Sequence, residues 1–232
     1  TAMVLAAGLG TRFRTISGEL PKPLVEVAGK PLIDWSLELL AAGGVRRAVV
    51  NVHYKADLME RHLAQVTAPE IIISDERAEL METGGGLIQA TDLLGGEPIF
   101  CTNTDAILPH EDAEPIHLLR KHWRDDEMDA LLLLVPIGLT TGYDGSGDFC
   151  LDGDGKISWG GDREKYVYSG LQIIHPRIWA GETQEPKSIR IFWERAMSAD
   201  RLHGVVHHGR WMHVGDPAGY EAAKRLLSGD DV

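Results

Sequence analysis

The chain has 232 residues, 44% hydrophobic and 25% charged, enough for one well-buried core and small for two domains. Its formal net charge of −12 argues against a nucleic-acid backbone or an anionic membrane as partner. No apolar run approaches transmembrane length, no secretory signal is read, and Cys101 and Cys150 fit neither a disulfide framework nor a zinc spacing, so buried free thiols in the cytoplasm are expected.

The sequence opens directly on an apolar run without an initiator Met. Ala2 to Ala7 reads as a buried strand that breaks into the turn Gly8-Leu9-Gly10, followed by Arg12 and Lys22. A turn without side chains lets backbone N–H groups form a concave nest for anionic oxygens. Arg12 adds a planar fork that grips phosphate, and Lys22 adds a point charge on a long stem. In an acidic chain, these two cations beside a glycine turn point to a polyphosphate. The plainer alternative is a strand-to-loop turn with surface cations. Position 13 is Phe13 rather than a third glycine, and no Gly-Lys-Ser/Thr follows, so neither a dinucleotide fingerprint nor a Walker loop is present.

A regular alternation follows. Pro31–Ala42 reads as a helix bounded by Pro31 and Gly43-Gly44, Ala48–Val52 as a strand, Ala56–Gln65 as a helix and Glu70–Ser74 as a strand. The run Glu82-Thr83-Gly84-Gly85-Gly86 leads into a helix at Gly85–Leu94, where glycines let backbone approach a flat base; the alternative is a loop needing positive φ. Pro98–Asn103 reads as a strand ending just before Asp105, Glu114–Arg124 as a helix, and Asp129–Val135 as a strand. Continuous apolar strands separated by helices predict an α/β fold with a parallel sheet covered on both faces. Ligands bind such sheets beyond the carboxyl ends of the strands, where the glycine turn and Asp105 both fall.

The pattern changes after residue 136. Phe149–Leu151 and Ile157–Trp159 flank Asp152-Gly153-Asp154-Gly155 and read as a hairpin; the turn lacks the closing Glu of a calcium loop. Tyr166–His175 reads as a strand, Ile189–Ser198 as a helix, Val205–His208 and Arg210–Val214 as strands, and Pro217–Leu227 as a closing helix capped by Asp216. His207 and His208 would face opposite ways on a strand and cannot share one metal ion.

Taken in order, Gly8-x-Gly10-Thr11-Arg12, Pro21-Lys22-Pro23-Leu24, Glu82-Thr83-Gly84-Gly85-Gly86, Asn103-Thr104-Asp105, Gly145-Ser146-Gly147-Asp148-Phe149, Tyr168-Ser169-Gly170 and Trp211-Met212-His213-Val214-Gly215 resemble the sugar-1-phosphate nucleotidyltransferases. The resemblance covers nearly the whole chain. The short length and the Glu-Thr-Gly-Gly-Gly run most resemble the branch that uridylylates N-acetylmuramic acid 1-phosphate in peptidoglycan recycling.

The resemblance implies a single Rossmann-like, GT-A-like domain with a mixed, mainly parallel sheet flanked by helices. Residues 1–135 would form its nucleotide-binding half and residues 136–232 its sugar-binding half, with a small sugar-binding lobe. It implies a nucleoside triphosphate, UTP above others, and a sugar 1-phosphate as substrates, and Mg²⁺ as cofactor. Ala6, Ala7, Gly8, Gly10, Thr11, Arg12, Lys22, Glu82, Gly84 and Gly85 would hold the nucleotide. Asn103, Gly147, Asp148, Ser169 and Gly170 would line the sugar. Arg12, Lys22 and Asp105 would carry the chemistry, with Asp105 holding Mg²⁺.

Two departures stand out. Thr104 replaces the family's Gly, and His213 stands where the family has a second metal-binding Asp. His213 and Asp216 are expected near the metal without ligating it directly, since Mg²⁺ prefers oxygen to imidazole. Guanylyl or thymidylyl transfer, and a nucleotide-sugar-binding regulator without catalysis, are the alternatives.

Overall fold

In the computed structural model, which describes residues 1–109, 114–160 and 164–229, the opening run forms β1 (Ala2–Leu5). It enters the glycine turn, a 3-10 turn at Thr11–Phe13 and the one-turn helix α1 (Arg14–Ser17). A second 3-10 turn at Lys22–Leu24 precedes the ribbon β2 (Glu26–Val27) and β3 (Lys30–Pro31). Then come α2 (Leu32–Ala42), β4 (Arg47–Val52), α3 (Ala56–Leu63), β5 (Glu70–Asp75), α4 (Glu82–Gln89), α5 (Thr91–Leu94), β6 (Ile99–Asn103), β7 (Ala106–Ile107), α6 (Glu114–His122) and β8 (Ala130–Pro136). The remainder comprises β9 (Thr140–Thr141), β10 (Phe149–Leu151), β11 (Ile157–Trp159), β12 (Lys165–Ile174), α7 (Arg190–Ser198), β13 (Leu202–Val206), β14 (Trp211–His213) and α8 (Pro217–Ser228).

Among the described residues nine strands share one sheet. Its order is β11-β10-β12-β6-β1-β4-β5, with β8 also against β12 and β13 against β8. The strands β6, β1, β4 and β5 are mutually parallel, as expected. The leucine run of β8 is not next to that set: it pairs antiparallel with β12, which is itself antiparallel to β6. Burial on both faces makes such a run apolar throughout, and burial does not say which strand lies beside it; β8 points the same way as β6, with β12 between them. The second half of the chain therefore joins the same sheet, inserting β12 beside β6.

Side chains alternate across the sheet. Ala2, Val4, Val50 and Val52 meet Leu37 and Leu40 of α2, Met59 of α3 and Leu119 of α6. Met3, Val49 and Cys101 meet Leu87 of α4 and Phe192 and Ala196 of α7. A third, small core joins Phe13, Val27 and Leu32 to Ile107, Met212 and Ala223, beneath the ribbon β7-β14-β9 and α8. Cys101 and Cys150 are buried and outside any disulfide, and burial pushes the Cys101 thiol up to about 12. Among the described residues no helix is long and apolar enough to cross a membrane.

The helix after β5 begins earlier than its glycines suggest. Glu82 through Gly86 lie inside α4, and a break at Ala90 separates α4 from α5. The expected strand Val205–His208 also shifts: β13 ends at Val206, and His207 and His208 lie beyond it.

Candidate functional site

A cleft of about 520 Å³ opens beyond the carboxyl ends of β1, β4 and β6. Asn51, near the end of β4, fixes its floor. The Asn51 carboxamide oxygen accepts from the N–H groups of Ala6 at 2.7 Å and Ala7 at 3.3 Å, and its Nδ2 donates to Glu76 Oε1 at 2.8 Å. The other Glu76 oxygen accepts from Met81 N–H at 3.1 Å. Burial pushes the Glu76 carboxyl up, and the Asn51 and Met81 donors pull it back. One buried pair thus joins the β1 turn to the segment entering α4. Asn51→Ala removes a partner from two backbone donors and a buried carboxylate, so a loss of roughly 3 kcal/mol is expected. Denaturant unfolding of the variant measures it.

Ala6 and Ala7 line the cleft, with both amides engaged by Asn51. The open part of the turn begins at Gly8. Gly10 has φ 57°, and a Cβ there would lie 3.0 Å from Lys22 Cβ, so both conformation and space require glycine. The 3-10 turn that follows has no side-chain cap. Arg12 lines the cleft, exposed and without a carboxylate partner among the described residues. Lys22 Nζ lies 3.2 Å from Asp105 Oδ2 and 5.4 Å from the centre of the Phe13 ring.

Asp105 is set by its neighbours. Its backbone carbonyl accepts from Val214 N–H at 2.8 Å, and the Thr104 hydroxyl donates to Leu5 O at 3.4 Å. Thr104 is thus an added tie to β1 and adopts no left-handed backbone. From β12, the half-buried Tyr168 phenol feels this carboxylate: burial first, then Cys101 and Asp105, push it well above its usual range.

The opposite wall is built by α4 and the segment before α7. Gly84 N–H and Gly85 N–H both donate to Lys187 O, at 2.8 and 3.0 Å, and Ile189 N–H donates to Thr83 Oγ1 at 2.9 Å. Lys187 Nζ is held by Glu182 at 2.9 Å and Glu185 at 3.0 Å. A Cβ on Gly85 would lie 2.5 Å from Glu185 O. The glycines therefore serve close packing of this strap, and the amides of Gly84 and Gly85 are not free to read a base. Glu82 does line the cleft with Thr83 and Ser188. Its φ of 59° is left-handed, a strain of about 1–3 kcal/mol for a non-glycine residue.

The residues expected around the sugar separate. Asn103 lines the cleft. Asp148 Oδ2 accepts from Tyr168 N–H at 2.9 Å, and Gly147 N–H donates to the Tyr143 hydroxyl at 3.1 Å. Ser169 is buried; its Oγ accepts from Leu171 N–H, and its carbonyl accepts from Trp211 Nε1. Gly170, at φ 90°, lets β12 pass Asn103 where the register of β12 on β8 shifts. These four residues shape β12 and its neighbours and do not line the cleft. Asp216 caps α8, accepting from Gly219 N–H at 2.9 Å. The His213 ring stacks on Trp211 at 5.8 Å and meets Tyr143 edge-on.

Asp105 is accordingly the carboxylate nearest Lys22, and among the described residues no three His, Cys, Asp or Glu side chains gather as a metal cage. One carboxylate suits Mg²⁺ that arrives with phosphate oxygens and keeps its waters. The sequence reading missed Asn51, Glu76, Thr83 and Ser188. Asn51 carried a signal, a polar residue amid Val49, Val50 and Val52; Ser188 reaches the cleft only through long-range packing.

A family profile described as "Nucleotidyl transferase" matches residues 1–145. The chain is 43% identical to an N-acetylmuramate alpha-1-phosphate uridylyltransferase of Caulobacter vibrioides, over 98% of this chain and 96% of that protein. It is 32% identical to a protein of the same name from Neisseria meningitidis serogroup B, over 97% of each. The fold resembles the inositol-1-phosphate CTP transferase from T. maritima with a TM-score of 0.76, at 20% identity over 98% of this chain and 96% of that one.

Proposed function

Because this chain belongs to the sugar-1-phosphate nucleotidyltransferase family, we propose that it transfers the uridylyl group of UTP to N-acetylmuramic acid 1-phosphate, giving a UDP-sugar and pyrophosphate. The observation that carries this reading is the convergence of Arg12, Lys22 and Asp105 beside the open glycine turn at one end of the cleft. The two matched uridylyltransferases favour UTP over the GTP and dTTP alternatives.

The reaction brings two polyanions together. An oxygen of the sugar phosphate attacks the α-phosphorus, the bond to the bridging oxygen breaks, and pyrophosphate leaves in line. The sugar phosphate is the nucleophile, so no side chain need attack. Catalysis is charge neutralisation and alignment. The N–H groups from Gly8 to Thr11 and the Arg12 fork would hold the triphosphate. Lys22, leaving Asp105 as nucleotide enters, would stabilise charge building at the α-phosphate. Asp105 would hold Mg²⁺, which when bound supplies further neutralisation of the phosphate oxygens. Asn103 would meet the sugar. A cytoplasmic setting and a place in peptidoglycan recycling belong to the same proposal.

Pyrophosphate release with UTP, Mg²⁺ and a panel of sugar 1-phosphates tests the reading. Turnover should be greatest with N-acetylmuramic acid 1-phosphate. Release with GTP or dTTP and none with UTP would replace the nucleotide assignment, and no release from any pair would overturn the reaction.

A further inference from the structure

We propose that Arg190 selects the acceptor sugar, its guanidinium pairing with the lactyl carboxylate that sets N-acetylmuramic acid apart from N-acetylglucosamine. The inference rests on the transfer reaction proposed above and names a residue that chooses its acceptor. Arg190 opens α7, where a cation opposes the helix dipole. It is exposed, and among the described residues no carboxylate pairs with it. Neither the helix nor an ion pair therefore accounts for its place. The side chain is nonetheless held. Its guanidinium carbon lies 4.4 Å from the centre of the Trp159 ring, the closest of the arginine–ring contacts among the described residues. A guanidinium stacked on a ring face keeps its in-plane N–H donors open, as a flat fork that fits a carboxylate. In a chain of net charge −12, a held and unpaired cation marks a place for an anion.

Position in the fold selects the anion. Ser188 lines the cleft, and its Oγ accepts from Arg190 N–H at 3.3 Å, which ties the start of α7 to the cleft wall. A run of aromatic rings leads from Asp105 toward Arg190. The Tyr168 phenol feels the Asp105 carboxylate, its ring meets Trp193 edge-on at 4.9 Å, and Trp193 lies 6.4 Å from Trp159. The acceptor's phosphate must come to Lys22 and Asp105 for in-line attack, so a group that meets Arg190 lies on the far side of the sugar. N-acetylmuramic acid 1-phosphate carries two anionic groups, the phosphate on C1 and the carboxylate of the lactyl ether on C3. The phosphate goes to the reacting centre, and the carboxylate is left for Arg190. N-acetylglucosamine 1-phosphate has only a hydroxyl on C3 and leaves the fork without an anionic partner.

The test is pyrophosphate release with UTP, Mg²⁺ and either N-acetylmuramic acid 1-phosphate or N-acetylglucosamine 1-phosphate, for the parent chain, Arg190→Gln and Arg190→Lys. The parent should prefer the acidic sugar by about tenfold or more in kcat/KM. Arg190→Gln should lose most of that preference through a KM for the acidic sugar raised about tenfold. Its kcat/KM for the neutral sugar, its KM for UTP and its melting temperature should hold. Arg190→Lys, which keeps the charge without the fork, should recover part of the preference. Equal losses with both sugars would assign Arg190 to a group they share, or to the fold where the melting temperature also falls, and would overturn the proposal. So would an unchanged preference in Arg190→Gln, or a parent that uses both sugars alike. No release from any pair would overturn the transfer reaction and this inference with it, whereas release without a preference set by Arg190 overturns the inference alone.

Discussion

Lys22→Ala should lower kcat by a hundredfold or more while KM for UTP changes little. The ammonium lies 3.2 Å from Asp105 Oδ2 and lines the cleft, so on the proposed mechanism its partner exchanges during the reaction. A charge aimed at the reacting phosphorus acts chiefly where negative charge develops, in the transition state. Losing one such contact typically costs roughly 3 kcal/mol of barrier. The loss should not come from unfolding, because the pair is partly exposed, at 14% and 35% for the two side chains, and exposed ion pairs contribute about 0–1 kcal/mol. Arg12→Ala should behave differently. Among the described residues Arg12 has no carboxylate partner to release, and on the proposed role it would grip the triphosphate before and during transfer, so both KM and kcat should suffer. Steady-state kinetics with thermal melts distinguish the two; a Lys22→Ala effect confined to KM would reverse the roles assigned to these cations.

Much of this arrangement could be read before any coordinates. The parallel set β6, β1, β4 and β5 announced itself through apolar runs between helices, and the glycine turn and Asp105 fell at the ends of two of those strands. The neighbour of β8 was not legible: its leucines are buried on both faces and it runs in the same direction as β6, but the antiparallel β12 lies between them. The strands β7, β9 and β14 are two or three residues long, too short for a period-2 pattern. The glycine run of α4 misled for a physical reason. Glycine signals either free backbone or close approach, and only the contact of Gly85 with Glu185, a hundred residues on, decides between them. Ser169 and Gly170 likewise stood out by their type, and the structure spends them on the irregularity of β12.

The Asp105→Asn variant is expected to lower turnover roughly a thousandfold, with any residual activity needing far more Mg²⁺. The substitution isolates charge from shape. An asparagine oxygen can still accept from Lys22, and the anchoring bond from Val214 N–H goes to the backbone carbonyl, so the local fold should stay. What disappears is the hard anionic oxygen that Mg²⁺ requires. His213 sharpens the argument. Val214 and Gly215 follow it to the cleft, so this position lies one residue from the Asp105 anchor, but its ring is stacked on Trp211 and edge-on to Tyr143. An imidazole so packed extends the aromatic contacts of Trp211 and Tyr143 at the edge of the main core, and imidazole is a poor ligand for a hard cation. His213→Asp should therefore lower stability by about 0.5–1.5 kcal/mol through loss of the ring contacts. It should nevertheless preserve turnover, or raise it at low Mg²⁺, by offering a second oxygen. Mg²⁺ titrations of turnover on both variants, run beside thermal melts, read out charge and packing separately. If Asp105→Asn kept the parent's Mg²⁺ dependence while His213→Asp abolished activity without unfolding, the metal would belong to His213, and Asp105 would be left as the counterion that positions Lys22.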